Sequence, residues 1–390
     1  MRILMLGWEF PPNISGGLGT ACFGMTKGLH EAGATQVRFV IPVALNGEYD
    51  QYVELTSLSE RITGVPPAVA PRSSSYGKDM FKAVAEYAER TPLLAQDGAK
   101  FDIVHGHDWL TAPAAIRLKH LTGKPLVMHI HSTEYDRSGE MANPEIVAIE
   151  QRALDEADRV VAVSDYTRRT LLARYRVDDQ KIVTIHNACG DEWHARRPSR
   201  PRRPGSGKTV SFLGRVTYQK GPRYFVEAAI LAAARMPELQ FVMAGDGDLL
   251  PEMRCRVEEA GMQDRFYFPG FLFGEEVQHL LANSDIYVMP SVAEPFGISA
   301  VEAIQAGAAA ILSKHSGVVE LFEHVVKVDY SDTATIADAI VRLASDSEYA
   351  DELRSGAATE LSRFNWVDCA KHLNRLYGEL HNVSEFKQVA

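Results

Sequence analysis

Short apolar runs recur along the chain, each closed by a polar or glycine-bearing loop and followed by a stretch of helical periodicity. In the first half these runs fall at 2–7, 36–43, 103–104, 125–131, 159–164 and 181–185. In the second half they fall at 210–213, 240–244, 266–269, 286–289, 308–313 and 325–329, the last as an edge strand. Short runs of this kind, apolar at most positions, are what strands buried on both faces require. Helices are predicted at 20–30, 78–95, 143–157, 275–283, 333–346, 348–364 and 365–381, with others starting near Gly221 and Gly297 and after a Ser164 or Asp165 cap. Residues 44–76 read as irregular and polar, and 71–77, PRSSSYG, as a loop. Strand and helix alternate on both sides of a proline-, glycine- and arginine-rich break at 194–208, so two doubly wound α/β domains are expected. The boundaries are 1–193, a linker at 194–208, 209–364, and a final helical segment at 365–390.

Composition narrows the class only a little. A chain of 390 residues suits two domains, and a net charge of −10 argues against nucleic acid as a partner. Cys22, Cys189, Cys255 and Cys369 are widely spaced, which suggests neither a disulfide framework nor a zinc site and fits a cytoplasmic setting. The N-terminal apolar run is too short for a signal peptide, and no run is long enough to span a membrane. Arg168, Arg169, Arg174 and Arg176 read as a solvated helix face rather than a lipid-binding one.

The pattern is most informative at 291–307, SVAEPFGISAVEAIQAG. Pro290 stops the preceding strand, and Glu294-Pro295 marks a loop, because a residue before proline avoids helical angles. Helix-forming residues begin at Gly297, and Gly307 reads as the C-terminal cap. Gly297 admits a ligand close to the backbone, and the free N–H groups of the first turn suit a phosphate or diphosphate. Glu294 precedes this point and Glu302 lies roughly 7 Å along the helix beyond it. A diphosphate resting there could offer one sugar to each carboxylate.

Other chemistry gathers at strand ends. His105, His107 and Asp108 close one strand and His131 another, the end of a parallel sheet where ligands bind. Three such residues invite a metal, yet no further ligand set is visible in sequence, so none is expected. Arg215 and Lys220 sit in a strand-to-helix turn and could bind diphosphate. Asp246 and Asp248 read as a turn with a helix N-cap. The loop holding Gly16, Gly17 and Gly19 lacks the dinucleotide fingerprint, which disfavours a nicotinamide oxidoreductase.

EPFGISAVE, with two glutamates separated by seven residues, resembles the signature of retaining family-4 glycosyltransferases. The resemblance extends over nearly the whole chain and is closest to bacterial and archaeal glycogen (starch) synthases. It implies the GT-B architecture: two Rossmann-like domains facing a cleft, with a C-terminal helix crossing back to the first. It further implies that Glu294 meets the donor hexose and Glu302 the ribose. The diphosphate would lie on Arg215, Lys220 and the Phe296-Gly297-Ile298 helix start. Gly17 would approach that diphosphate and Gly245 the nucleotide. Asp108 and His131 would lie near the sugars. Asn187 is kept, but HNACG departs from the family's usual HNG loop. The donor implied is UDP- or ADP-glucose and the acceptor an α-1,4-glucan, with neither metal nor cofactor. A mannosyl- or lipid-directed transferase, or a silent sugar-nucleotide binder, would carry the same donor motifs.

Overall fold

The computed structural model describes residues 1–11, 14, 16–42, 52–58, 78–96, 100–188, 190 and 207–389. The loop read at 71–77 and most of the 194–208 break lie outside them.

Thirteen strands are present among the described residues: β1 Arg2–Leu6, β2 Gln36–Ile41, β3 Glu54–Ser57, β4 Ile103–His107, β5 Leu126–Ile130, β6 Arg159–Ala162, β7 Ile182–Thr184, β8 Thr209–Leu213, β9 Gln240–Ala244, β10 Phe266–Gly270, β11 Ile286–Met289, β12 Ala309–Ser313 and β13 Val326–Val328. They form two all-parallel sheets, ordered β3-β2-β1-β4-β5-β6-β7 and β10-β9-β8-β11-β12-β13. The chain divides accordingly into two compact units, the first holding β1–β7 and the segment from Asn365 onward, the second holding β8–β13 and ending at Phe364. Each order reverses direction once, between β1 and β4 and between β8 and β11. Such a reversal splays the connecting loops apart and leaves a crevice at the strand C-termini.

Burial explains why the apolar runs were legible. Leu4, Val104, Leu126, Met128 and Val160 share one core, and Val210, Phe212, Phe241, Ile286, Val288 and Ile311 the other. β3 is a correction. Its sequence, ELTS, was read as part of an irregular segment, yet it pairs in parallel with β2, Arg38 opposite Glu54. As an edge strand it has one neighbour and needs few apolar residues; the Arg38–Glu54 ion pair (3.3 Å) supplies polar pairing instead. The helix read at 78–95 is also two, Lys78–Arg90 and Pro92–Gln96, because proline starts a helix well but cannot continue one.

In the first unit, the helix Trp366–Val389 packs against Gly17–Glu31. Gly24 and Gly28 form the seat. A Cβ on Gly24 would lie 2.1 Å from the Trp366 ring, and one on Gly28 2.3 Å from the Trp366 carbonyl oxygen. Thr35 Oγ1 adds a hydrogen bond to Asn374 Oδ1 at 2.5 Å. Because the Gly28 clash is with backbone, Gly28→Ala is expected to lower unfolding free energy by about 1–3 kcal/mol, read by urea denaturation. An unchanged midpoint would show that the two helices are not held at this distance.

Candidate active site

In the second unit the turn after β8 meets the turn after β11, at the reversal of the sheet. Gly214 and Arg215 follow β8, then a short 3-10 turn, Tyr218–Lys220, then the helix Pro222–Arg235. Gly221 caps that helix with φ 65°, and a Cβ there would lie 2.0 Å from the Pro290 carbonyl oxygen. Only glycine permits this approach, which draws Lys220 to the loop after β11. Lys220 Nζ lies 2.5 Å from Glu294 Oε2, and Ser291 Oγ donates to the same oxygen at 3.3 Å. Glu294 is buried. Its backbone is clamped too: its N–H donates to the His315 carbonyl and its carbonyl accepts from Gly317 N–H, each at 2.9 Å.

Arg215 Nη2 donates to Gln219 Oε1 at 2.9 Å, and the Gln219 carbonyl accepts from Val292 N–H at 2.9 Å. Gln219 thus ties both turns together. Sequence reading passed over it, and its spacing of four from Arg215 was the available signal. Gly245 also belongs here: its N–H donates to the Gly270 carbonyl at 2.7 Å, and its Cα side faces the Gly214 carbonyl. Asp246 Oδ1 accepts from Gly247 N–H within this turn. The cap expected from Asp246 and Asp248 is corrected: the helix Leu250–Glu259 has Leu249 at its N-cap and no side-chain bond. A leucine there leaves the helix start to the turn's own backbone.

Phe296 is buried and Gly297, at φ 110°, is the N-cap of the helix Ile298–Gln305. The N–H groups of its first turn have no acceptor within the helix, as at any helix start. The Tyr287 hydroxyl, 2.8 Å from Ser299 Oγ and 3.3 Å from the Leu213 carbonyl, fixes this turn against the ends of β8 and β11. Glu302 lies further along. Burial holds its carboxyl up, to about 7. That is above the unfolded value, so between about pH 4.5 and pH 7 the folded chain binds more protons and stability falls as pH rises. Glu302→Gln should remove this contribution. Its unfolding free energy should decline less between about pH 5 and about pH 8 than the parent's, by roughly 1–3 kcal/mol. An identical decline in both proteins would rule out Glu302 as its source.

In the first unit, Asp108 and His131 come together at the ends of β4 and β5. Asp108 Oδ1 accepts from the N–H groups of His131 (2.6 Å) and Ser132 (3.2 Å). It is the only non-glycine residue with positive φ, 56°, among the described residues. Strain of this kind persists where the surroundings over-determine it, often at functional sites. Desolvation raises its carboxyl to about 6 despite Arg137 and the two amides. His131 Nε2 lies 3.0 Å from His107 Nδ1, so both backbone and ring are held. Ser132 is braced by Arg137, whose guanidinium also reaches Glu134 (3.1 Å) and Glu150 (2.9 Å). Tyr175 donates to Glu150 from the other side. None of this buried Glu134–Arg137–Glu150–Tyr175 network was foreseen. Gly17 opens the helix Gly17–Glu31 and is exposed, while Asn187 is buried beyond β7. The structure therefore gathers Arg215, Lys220, Gly245, Glu294, Phe296, Gly297, Ile298 and Glu302 on the second unit. It places Gly17, Asp108, His131 and Asn187 on the first.

Comparison with known proteins agrees in both units. Residues 15–192 match the model for Glycosyltransferase Family 4, and residues 196–360 match Glycosyl transferases group 1. An uncharacterised glycosyltransferase of Methanocaldococcus jannaschii is 29% identical over 97% of this chain and 98% of its own. Glycogen synthase of Mycobacterium tuberculosis is 29% identical over 97% of this chain and 94% of its own. Among solved structures, sucrose-phosphate synthase from Thermosynechococcus elongatus superposes with a TM-score of 0.82 at 21% identity, over 98% of this chain and 99% of that one. The chain belongs to the family-4 glycosyltransferases of GT-B fold and resembles glycogen synthase.

Proposed function

We propose that the chain is a retaining glucosyltransferase that moves glucose from UDP- or ADP-glucose to an α-1,4-glucan, without a catalytic metal. The observation that carries this reading is the Lys220–Glu294 pair beside the Gly297 helix start, with Arg215 held on Gln219. It offers two cations and a set of amides for a diphosphate, and a carboxylate for the sugar attached to it. As the bond from the anomeric carbon to the diphosphate oxygen breaks, negative charge grows on the leaving group. Arg215, Lys220 and the amides at Gly297 and Ile298 stabilise it there, preorganised by the surrounding hydrogen bonds. The acceptor hydroxyl attacks from the face the diphosphate leaves, and its proton passes to a diphosphate oxygen. Glu294 orients the hexose. Glu302 binds the ribose, and Gly245 lies against the nucleotide.

The glucan acceptor rests on the resemblance to glycogen synthase. A 2-deoxystreptamine glucosyltransferase of Streptomyces kanamyceticus, 29% identical over 73% of this chain, favours a small aminocyclitol acceptor as the second reading. Nucleotide release from UDP-glucose, ADP-glucose and GDP-mannose, each with and without glycogen and in EDTA, tests the proposal. Glycogen-dependent release from a glucose donor supports it. Release from GDP-mannose alone, or loss of release in EDTA, overturns the donor or the metal independence respectively.

A further inference from the structure

β4 and β5 are in register with His107 opposite His129. Residues two apart on a strand share a face, so His105, His107 and His129 come together on one side of the first unit's sheet. All three are buried: His105 and His107 are 0% exposed and His129 1%. Their ring centroids lie 4.6 Å (His105–His107), 5.4 Å (His107–His129) and 5.4 Å (His105–His129) apart.

The hydrogen bonds around them are one-sided. His105 Nδ1 lies 2.6 Å from the Tyr377 hydroxyl, and His107 Nδ1 lies 3.0 Å from His131 Nε2. His105 Nε2, His107 Nε2 and both nitrogens of His129 are buried with no hydrogen-bond partner. An unpaired buried polar atom gives up its hydration and gains no hydrogen bond in return, so four in one cluster are hard to explain as ordinary core packing. One nitrogen from each ring lies within 4.8 Å of the others. An ion-binding imidazole offers one nitrogen to the metal and fixes the other in a hydrogen bond. Tyr377 and His131 provide that second contact for two of the three rings.

We propose that His105, His107 and His129 bind one divalent transition-metal ion of the kind that prefers imidazole nitrogen, such as Zn2+, Ni2+ or Cu2+, as a structural ion inside the first unit. Cys22, His107 and His131 form an adjoining set. A cobalt ion held by that set would carry a sulfur ligand, which its spectrum would reveal. The ion on the three histidines is structural and supplies no group to the proposed transfer.

Co2+ is the probe. The full chain is unfolded in chelator, freed of it, and refolded with increasing Co2+, since a site this enclosed opens slowly. One equivalent should bind with visible d–d bands and no sulfur-to-cobalt charge-transfer band, and the thermal midpoint should rise. His129→Leu removes two unpaired nitrogens without leaving a polar group. Its metal-free form should be at least as stable as the metal-free parent, and its Co2+ affinity should fall by at least about tenfold. Absence of saturable binding to the parent, equal binding to His129→Leu, or a sulfur charge-transfer band would each overturn the site. The parent's titration and spectrum decide the matter if the variant does not fold.

Discussion

Lys220→Ala is expected to lower turnover by at least about a hundredfold, the scale of losing one preorganised donor to developing charge. The Lys220 ammonium is the group closest to Glu294, at 2.5 Å, and no second lysine is within ion-pair distance of that carboxylate among the described residues. Removing it takes a positive charge from the proposed diphosphate site and also leaves Glu294 buried without its cation. Glu294→Ala should cost a similar factor for a different reason. It leaves Lys220 partly exposed and able to hydrate, so the fold should tolerate it better, while the hexose loses its partner. Initial rates of nucleotide release, with circular dichroism on each variant, separate the two effects. Near-normal turnover in either folded variant would contradict the assignment.

The largest effect on stability is expected from Arg137→Ala. Arg137 is the cation shared by Glu134 and Glu150, both nearly inaccessible to solvent, and it also donates to the Ser132 carbonyl. Removing one partner from a buried ion pair leaves an uncompensated charge, at a cost of roughly 3–5 kcal/mol. The deficit should depend on pH. Burial already holds the Glu150 carboxyl up to about 7, against the lowering influence of Arg137 and Tyr175. Without Arg137 it rises further, so the variant relieves itself by protonation in acid and suffers most above neutrality. Urea unfolding at about pH 5 and about pH 8 should therefore show a larger loss at the higher pH. A loss below about 1 kcal/mol at both would mean the network is not the brace of the His131–Ser132 turn.

Several elements were readable because each is a local property of the chain. ILML and IYVM are apolar at every position, as strands covered on both faces must be; after the exposed Arg2 the first makes up the rest of β1, and the second is β11. Ser164 accepts from Thr167 N–H at the start of its helix, a bond spanning three residues. A helix beginning at Gly297 was legible from the loop-to-helix sequence around it, and Gly297 is its N-cap. The same locality explains the failures. ELTS carries no apolar signal because an edge strand draws its order from a neighbour, so β3 was hidden. Tyr287 read simply as a core residue, although its hydroxyl pins the helix start.

By itself, then, the sequence determined two doubly wound α/β units and marked which strand ends carry the glycines, cations and carboxylates of a family-4 glycosyltransferase. Only the tertiary structure decided that Lys220 meets Glu294, 74 positions away. It also decided that Arg137 joins Glu134 to Glu150, and that strand register places His107 against His129. The Lys220–Glu294 and His107–His129 pairings depend on parallel strands joined by long crossovers, whereas the Arg137 network depends on how two successive helices pack. No period in the chain encodes which residues such crossovers bring together. The packing of helices against the sheet sets the register, and the register sets the chemistry.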